Sequence, residues 1–163
     1  MNYHNIKHDD MLNGKGLRVS LFVSGCSCHC HNCHNPQTWD KDSGILFDDK
    51  AKEEIFEELE KDYIDGITLT GGHPLEEYNL KEITNLCKEI KEKFTNKTIW
   101  LYTGFLYENI KSLQVMNYID VLVDGPFVES LKDKNAKWIG STNQRVIDVQ
   151  KSKKENRVII LYK

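Results

Sequence analysis

Four of the five cysteines of this chain lie within eight residues, at Cys26, Cys28, Cys30 and Cys33. Three of them, Cys26, Cys30 and Cys33, follow the spacing C-x3-C-x2-C, directly after an apolar run at residues 17–23. Iron–sulfur clusters are held by cysteine thiolates and usually have four such ligands. A loop that offers three thiolates therefore predicts a cluster with one iron left open, to which a substrate can bind.

A zinc site is the main alternative explanation for these thiols. Structural zinc sites usually pair C-x2-C with a second pair well down the chain. The only other cysteine here is Cys87, which lies in the apolar stripe of a predicted helix and is interpreted as a core residue. His29, His31 and His34 could complete a local zinc site, so this alternative stays open. Cys28 falls outside the spacing and is interpreted as a loop residue that is not a ligand.

A disulfide is a weaker alternative, because the N-terminus resembles no export signal. Residues 1–10 are polar and lack the apolar core of a signal peptide. We therefore expect a cytoplasmic protein with reduced thiols. No apolar run approaches the ~20 residues of a membrane span. The net charge of −3 and the 29% of charged residues are ordinary for a globular domain. The sequence predicts neither a membrane protein nor a nucleic-acid binder.

The elements that must position the cysteine loop alternate between strand and helix. The predicted strands are the apolar runs at residues 17–23, 67–70, 98–102 and 119–123. The predicted helices, marked by apolar residues on one face, span residues 48–65, 79–94 and 106–113. This alternation predicts an α/β fold with a mainly parallel sheet. Because 163 residues are too few for a complete (β/α) barrel, we expect a partial barrel.

The whole chain is expected to form one compact domain with three parts. Residues 1–16 are polar and punctuated by glycine, and are predicted to be a lead-in loop. Residues 17–126 are the predicted βα core. Residues 127–163 are a C-terminal extension, in which residues 145–149 and 157–162 are expected to be strands joined by a charged turn.

A second group of candidate site residues follows the strand at 67–70. Gly71 and Gly72 leave backbone amides unblocked and allow a ligand to approach closely, and His73 comes next. Taken alone, the two glycines are equally well explained by a strand-to-helix turn. Asp124 ends another apolar strand, where a carboxylate needs a charged cofactor, a cation or a helix N-terminus as its partner. Because parallel strands end at one edge of a sheet, we expect these residues to surround one site with the cysteines.

With both groups in view, the chain resembles the radical S-adenosylmethionine superfamily in its cysteine loop and its Gly-Gly turn. Further segments, in order along roughly residues 1–150, resemble one family within it, the anaerobic ribonucleoside-triphosphate reductase activating proteins. These segments are NGKGLR at 13–18, LFVSGC at 21–26, TW at 38–39, TGG at 70–72, YTG at 102–104, VLVDG at 121–125 and GSTNQR at 140–145.

The resemblance implies a radical enzyme. Cys26, Cys30 and Cys33 would hold a [4Fe–4S] cluster, and S-adenosylmethionine would bind its open iron and be cleaved reductively. The 5′-deoxyadenosyl radical would remove hydrogen from a backbone glycine of the large subunit of the reductase, leaving a glycyl radical. The electron would come from a donor such as flavodoxin or ferredoxin. The alternatives are an activating enzyme for another glycyl-radical enzyme and a non-catalytic zinc-binding module.

The resemblance also assigns contacts to S-adenosylmethionine. Gly71 and Gly72 would pass close to its methionine part. The backbone from Asn32 through Cys33 to His34 would face its adenine ring. These contacts would come from the loops that follow the first and second predicted strands of the core.

Two positions depart from the pattern of the resemblance. His73 stands where the family commonly has aspartate, next to the glycines that would contact the cofactor. Asn32 stands where the superfamily favours an aromatic residue, and the ring of His34 is expected to pack on the adenine instead.

Asp124 matches a strand-end carboxylate that lies beside the site in related activating enzymes.

Overall fold

One sheet of eight strands organises the chain in the computed structural model, which describes residues 1–162. The strands are β1 (Asn2–Asp10), β2 (Arg18–Val23), β3 (Ile45–Leu46), β4 (Gly66–Gly71), β5 (Thr98–Tyr102), β6 (Val121–Asp124), β7 (Arg145–Asp148) and β8 (Ile160–Tyr162). The α-helices are α1 (Asp49–Leu59), α2 (Glu77–Lys93), α3 (Tyr107–Ile110) and α4 (Val149–Glu155). Each predicted strand and helix of the core is present, β3 is an additional short strand that was not predicted, and α1 ends earlier than the predicted helix at 48–65.

The sheet is parallel in its middle and antiparallel at both sides. Its order is β3-β1-β2-β4-β5-β6-β7-β8, and β2, β4, β5 and β6 pair in parallel. The outer strands add in antiparallel pairs. The predicted α/β fold with a parallel centre is confirmed. The partial barrel is not, because β3 and β8 remain edge strands within residues 1–162 and the sheet does not close.

The N-terminal segment is a strand, so the prediction of a lead-in loop over residues 1–16 is wrong. β1 pairs antiparallel with β2, with partners from Tyr3 to Asp10. Ile6 and Asp10 are its only buried residues. The alternation of apolar and polar residues that marks a strand is therefore missing from this part of the sequence.

The charged residues after β7 form a helix, so the predicted turn between two strands is also wrong. α4 begins where the Asp148 carboxylate accepts a hydrogen bond of 3.0 Å from the Lys151 N–H. It ends at Asn156, whose φ of 51° is left-handed. Val149 and Ser152 are its buried residues, which is too short an apolar face to show a helical period in the sequence. β8, which follows, is shorter than the predicted strand.

The two faces of the sheet carry different cores. Side chains of one face pack against the helices, where α2 contributes Ile83, Cys87 and Ile90, all fully buried. Cys87 is thus a core residue, as predicted. The other face carries a smaller cluster around Trp100 and Val123. Between residues 1 and 162, none of the helices is long and apolar enough to cross a membrane.

Arg18 is buried at the start of β2 with all its donors satisfied. Its Nε donates to Thr68 Oγ1 at 2.8 Å, and its Nη1 donates to Lys15 O at 3.1 Å and Thr98 Oγ1 at 2.9 Å. Its Nη2 donates to Ile67 O at 2.7 Å and Thr98 O at 2.8 Å. Burial lowers the pKa of Arg18 to about 10, so the side chain stays charged at neutral pH. The charged Arg18 side chain therefore links β2, β4 and β5 through its hydrogen bonds.

Candidate functional site

The cysteine loop opens on a cavity of about 560 Å³ at the carboxyl ends of the parallel strands. Cys26, Cys28, Cys30 and Cys33 all line this cavity. Residues 70–73 at the end of β4, residues 102–104 at the end of β5 and Gly125 after β6 line it as well. The fold therefore brings the cysteines and the glycine turn to one cavity, as the parallel topology predicts.

The thiols of the loop differ in their surroundings. Each of the four is partly exposed. The thiol of Cys28 donates a hydrogen bond to Cys26, and backbone N–H groups of Cys28 and His29 add to it, so the pKa of Cys26 falls to about 6 although burial opposes the shift. The same bond to Cys26, with burial, raises the pKa of Cys28. Since the thiolate is the form that binds metal, the hydrogen bond shared by Cys26 and Cys28 favours a thiolate in this part of the loop.

The three histidines of the loop each contact a different protein side chain and do not point to a shared metal position. The contacts are His29 stacked on Trp39 at 4.4 Å, His31 Nε2 at 3.1 Å from Glu129 Oε2, and His34 edge-on to Phe127 at 5.4 Å. Across the part of the chain that the structure describes, no three Cys, His, Asp or Glu side chains converge to hold a single metal ion. The thiolates of a cubane cluster each bind a different iron and lie further apart than the ligands of one zinc. Thiolates are the ligands that iron–sulfur clusters use, so the three spaced cysteines that line one cavity fit such a cluster.

The glycine turn packs directly against the backbone of the cysteine loop. Gly71 has a φ of 99°, and a Cβ atom there would lie 2.6 Å from Phe22 Cα. A Cβ atom on Gly72 would lie 2.6 Å from the carbonyl oxygen of Gly25. The His73 N–H donates to the same oxygen at 2.7 Å. Close approach of two backbones thus requires glycine at both positions.

His73 is buried and uses both ring nitrogens within the protein. Nδ1 lies 3.1 Å from Glu76 Oε1, and Nε2 lies 2.6 Å from Thr103 Oγ1. The ionised Glu76 carboxylate can only accept, so the proton of the neutral ring lies on Nδ1, and Nε2 accepts the proton of the Thr103 hydroxyl. Burial lowers the pKa of His73, against the opposing effect of the Glu76 carboxylate. The imidazole is therefore a neutral bridge between two loops of the site.

Glu76 is a site residue that the sequence analysis missed. Its Oε1 accepts the Ser27 N–H at 2.7 Å and the Ser27 hydroxyl at 2.6 Å, besides its bond to His73. Burial acts to raise the pKa of Glu76, but these hydrogen bonds outweigh it and the pKa is lowered. The carboxylate thus ties the turn after β4 to the loop between Cys26 and Cys30. No local pattern marks it, because it stands among other acidic residues.

Asp124 is fully buried and is held by protein groups. Its carboxylate accepts from Arg145 Nε at 3.0 Å and Arg145 Nη2 at 2.5 Å, and from the Tyr107 N–H at 2.8 Å. The backbone of Gly125 lines the cavity, whereas Asp124 does not. Of the partners weighed from the sequence, a helix N-terminus is present, and Arg145 is a partner that the sequence analysis did not foresee.

The GSTNQR segment forms part of one wall of the cavity. Gln144 Oε1 accepts the N–H groups of Gly140 at 2.7 Å and Ser141 at 3.2 Å, while its Nε2 donates to Gly125 O at 2.9 Å. Trp138, with a left-handed φ of 64°, packs against Trp100 at 5.1 Å and lines the cavity. The contacts of Gly140, Ser141 and Gln144 therefore give the GSTNQR segment a structural role, and Trp138, just before it, extends the same wall.

Asn32 and His34, near the end of the cysteine loop, have different surroundings. Asn32 has a left-handed φ of 55°, and its side chain donates to the Glu129 carboxylate, outside the cavity. His34 lines the cavity. The C-terminal extension thus contacts the cysteine loop through Glu129 and Phe127.

Comparison with known proteins shows a 4Fe-4S cluster domain in this chain. Residues 12–147 match the family model described as a 4Fe-4S single cluster domain, which defines the class of protein. An anaerobic ribonucleoside-triphosphate reductase-activating protein of Enterobacteria phage T4 is 45% identical over 146 residues, covering 90% of this chain and 93% of the relative. Those of Escherichia coli K12 and Haemophilus influenzae are 41% and 37% identical, covering 90% and 88% of this chain and 97% and 96% of the relatives. The chain belongs to the family of anaerobic ribonucleoside-triphosphate reductase-activating proteins.

Proposed function

We propose that this protein is a radical S-adenosylmethionine enzyme that activates an anaerobic ribonucleoside-triphosphate reductase. The observation that carries the proposal is the shared cavity, lined both by the three cysteines of the C-x3-C-x2-C spacing and by the Gly71–Gly72 turn. The match to a 4Fe-4S domain supports the cluster, and the names of the relatives support the reductase as the partner.

Cys26, Cys30 and Cys33 are the residues proposed to hold the [4Fe–4S] cluster. When bound, the cluster would supply the electron that cleaves the C5′–S bond of S-adenosylmethionine, and the 5′-deoxyadenosyl radical would take a hydrogen atom from a glycine of the reductase. The hydrogen bond from Cys28 favours the thiolate of Cys26 before any metal is present. A cytoplasmic reductant such as flavodoxin or ferredoxin is the proposed electron donor.

The remaining site residues are proposed to bind and orient S-adenosylmethionine. Gly71 and Gly72 present backbone without side chains to the cavity, which suits the polar methionine part. Cys33 and His34 line the cavity from the cysteine loop and are proposed to face the adenine ring, with Asn32 setting the direction of the loop end. The aromatic side chains of the cavity, among them Trp138, exclude water from a reactive radical.

The test is anaerobic cluster reconstitution of the full chain, followed by iron analysis and a cleavage assay with S-adenosylmethionine and dithionite. We expect Cys30→Ser to lose most of the iron and the cleavage activity. The matched control Cys28→Ser, in the same loop and cavity, is expected to retain its iron. A colourless wild-type protein that takes up zinc would refute the proposal. Transfer of the radical is measured as a glycyl signal in electron paramagnetic resonance after mixing with the reductase.

A further inference from the structure

The loop between β1 and β2 holds two apolar side chains in solvent beside the cavity. Met11 is 70% exposed and Leu12 is 73% exposed, the highest values among the large hydrophobic side chains of residues 1–162. Leu12 also lines the cavity. Leaving two adjacent apolar side chains in water forgoes the free energy that burial would provide. Adjacent exposed apolar groups at the edge of a cavity are typical of an interaction site.

This loop is held in place by a buried carboxylate. Asp10 is fully buried and accepts the Leu12 N–H at 2.9 Å, the Asn13 side-chain amide at 2.7 Å and the Ser20 hydroxyl at 2.5 Å. The Thr68 hydroxyl donates to Asn13 O at 2.5 Å. The exposure of the two side chains is therefore a fixed feature of the fold and does not result from a loose loop.

Another part of the cavity edge is positively charged. Lys134 lines the cavity together with Ala136 and Trp138. Lys132 and Lys137 are exposed in the same segment. The one aspartate there, Asp133, accepts the Asn135 N–H at 2.9 Å. A partner that crosses this edge therefore meets apolar surface at the β1–β2 loop and cationic surface at residues 132–137.

We propose that Met11, Leu12 and the lysines of residues 132–137 form the docking surface for a polypeptide segment of the reductase that carries apolar and acidic side chains. The proposal rests on the proposed function. A radical formed in the cavity reacts only with a glycine that reaches it, so part of the reductase chain must pass over the cavity edge. The exposed apolar pair matches apolar side chains of that segment, and the lysines match carboxylates.

The test compares edge variants with variants of matched exposure elsewhere. The edge variants are Met11→Gln and the double variant Lys132→Glu/Lys137→Glu, none of which lines the cavity. The matched controls are Leu46→Gln, 65% exposed on the edge strand β3, and Lys151→Glu/Lys154→Glu in α4. All are prepared as the reconstituted full chain. For each we measure the Kd for the purified reductase, the glycyl radical yield, and cleavage of S-adenosylmethionine without the reductase.

We expect Met11→Gln to raise the Kd about tenfold, as loss of one buried methionine from an interface does. The lysine double variant should weaken binding and reduce its dependence on salt. Cleavage without the reductase should stay at the wild-type level, and both controls should bind as the wild type does. A urea unfolding midpoint equal to the wild type for each edge variant excludes misfolding as the cause.

Three outcomes would overturn the inference, and they are distinct. Edge variants that bind and activate the reductase as the controls do would refute the docking surface and leave the proposed function standing. A wild-type dimer that Met11→Gln dissociates, with reductase binding unchanged, would assign the surface to a second copy of the chain. A wild-type protein that forms no radical on the reductase would refute the proposed function, and the inference with it.

Discussion

Replacing Arg145 by methionine should destabilise the protein far more than its surface position suggests. The Asp124 carboxylate has no exposure to solvent and accepts two hydrogen bonds from the Arg145 guanidinium and one from the Tyr107 N–H. Arg145→Met leaves this buried charge with the backbone donor alone. Breaking a buried ion pair on one side costs about 3–5 kcal/mol. Because the Arg145 side chain is 29% exposed, we expect the lower end, about 3 kcal/mol.

The assay is equilibrium unfolding in urea of the reduced, metal-free chain at neutral pH. The matched control is Arg157→Met, since Arg157 is 69% exposed and lies 3.5 Å from Glu155. Its loss should change the unfolding free energy by less than about 0.5 kcal/mol. Adding Asp124→Asn to Arg145→Met removes the buried charge and should recover part of the lost stability. A cost below about 1 kcal/mol for Arg145→Met would refute the reasoning that this arginine sustains the buried carboxylate.

Two further predictions concern the bridge between the loops of the site. Glu76→Ala removes the acceptor for Ser27 and His73, so alkylation of the loop cysteines in the metal-free chain should speed up several-fold. The neighbouring Glu77→Ala should leave that rate unchanged, and equal rates in both variants would contradict the bridge. Burial lowers the pKa of His73 below 6.5. As the pH falls, His73 is protonated at a higher pH in the unfolded chain than in the folded protein. Its contribution to the free energy of unfolding is therefore fully present above about pH 6.5 and is lost as the pH drops below that value. The urea midpoint should show this fall, and His73→Gln should reduce it.

The central strands could be predicted because both of their faces are buried. Five of the seven residues at 17–23 are apolar, and Ile67 and Leu69 alternate with threonines at 67–70, so both runs are marked as strands with little exposed surface. β1 was not predicted because Ile6 is its only buried apolar residue, so the strand has no apolar pattern. α4 was not predicted because most of its residues are charged and face solvent.

The candidate site likewise has parts that local sequence patterns predict and parts that depend on long-range contacts. The cysteine spacing and the glycine turn are local patterns, and the parallel topology was enough to place them on one cavity. The bonds of Glu76 to Ser27 and of Asp124 to Arg145 could not be predicted, because each joins residues far apart in the sequence. Ser27 lies 49 residues from Glu76, and Arg145 lies 21 residues from Asp124. Such pairs leave no local periodicity or spacing in the chain.

The buried guanidinium of Arg18 gives the sheet a means of rejecting misaligned pairings. Runs of valine, isoleucine and leucine bury almost as well when neighbouring strands shift along each other, so the apolar core discriminates poorly among such shifts. Arg18 finds all its acceptors only when it stands opposite Gly66 and Gly66 stands opposite Thr98. A shift of one residue would reverse the facing of a whole strand and leave a buried cation short of acceptors, at a cost of several kcal/mol. A single charge therefore selects one alignment of three strands.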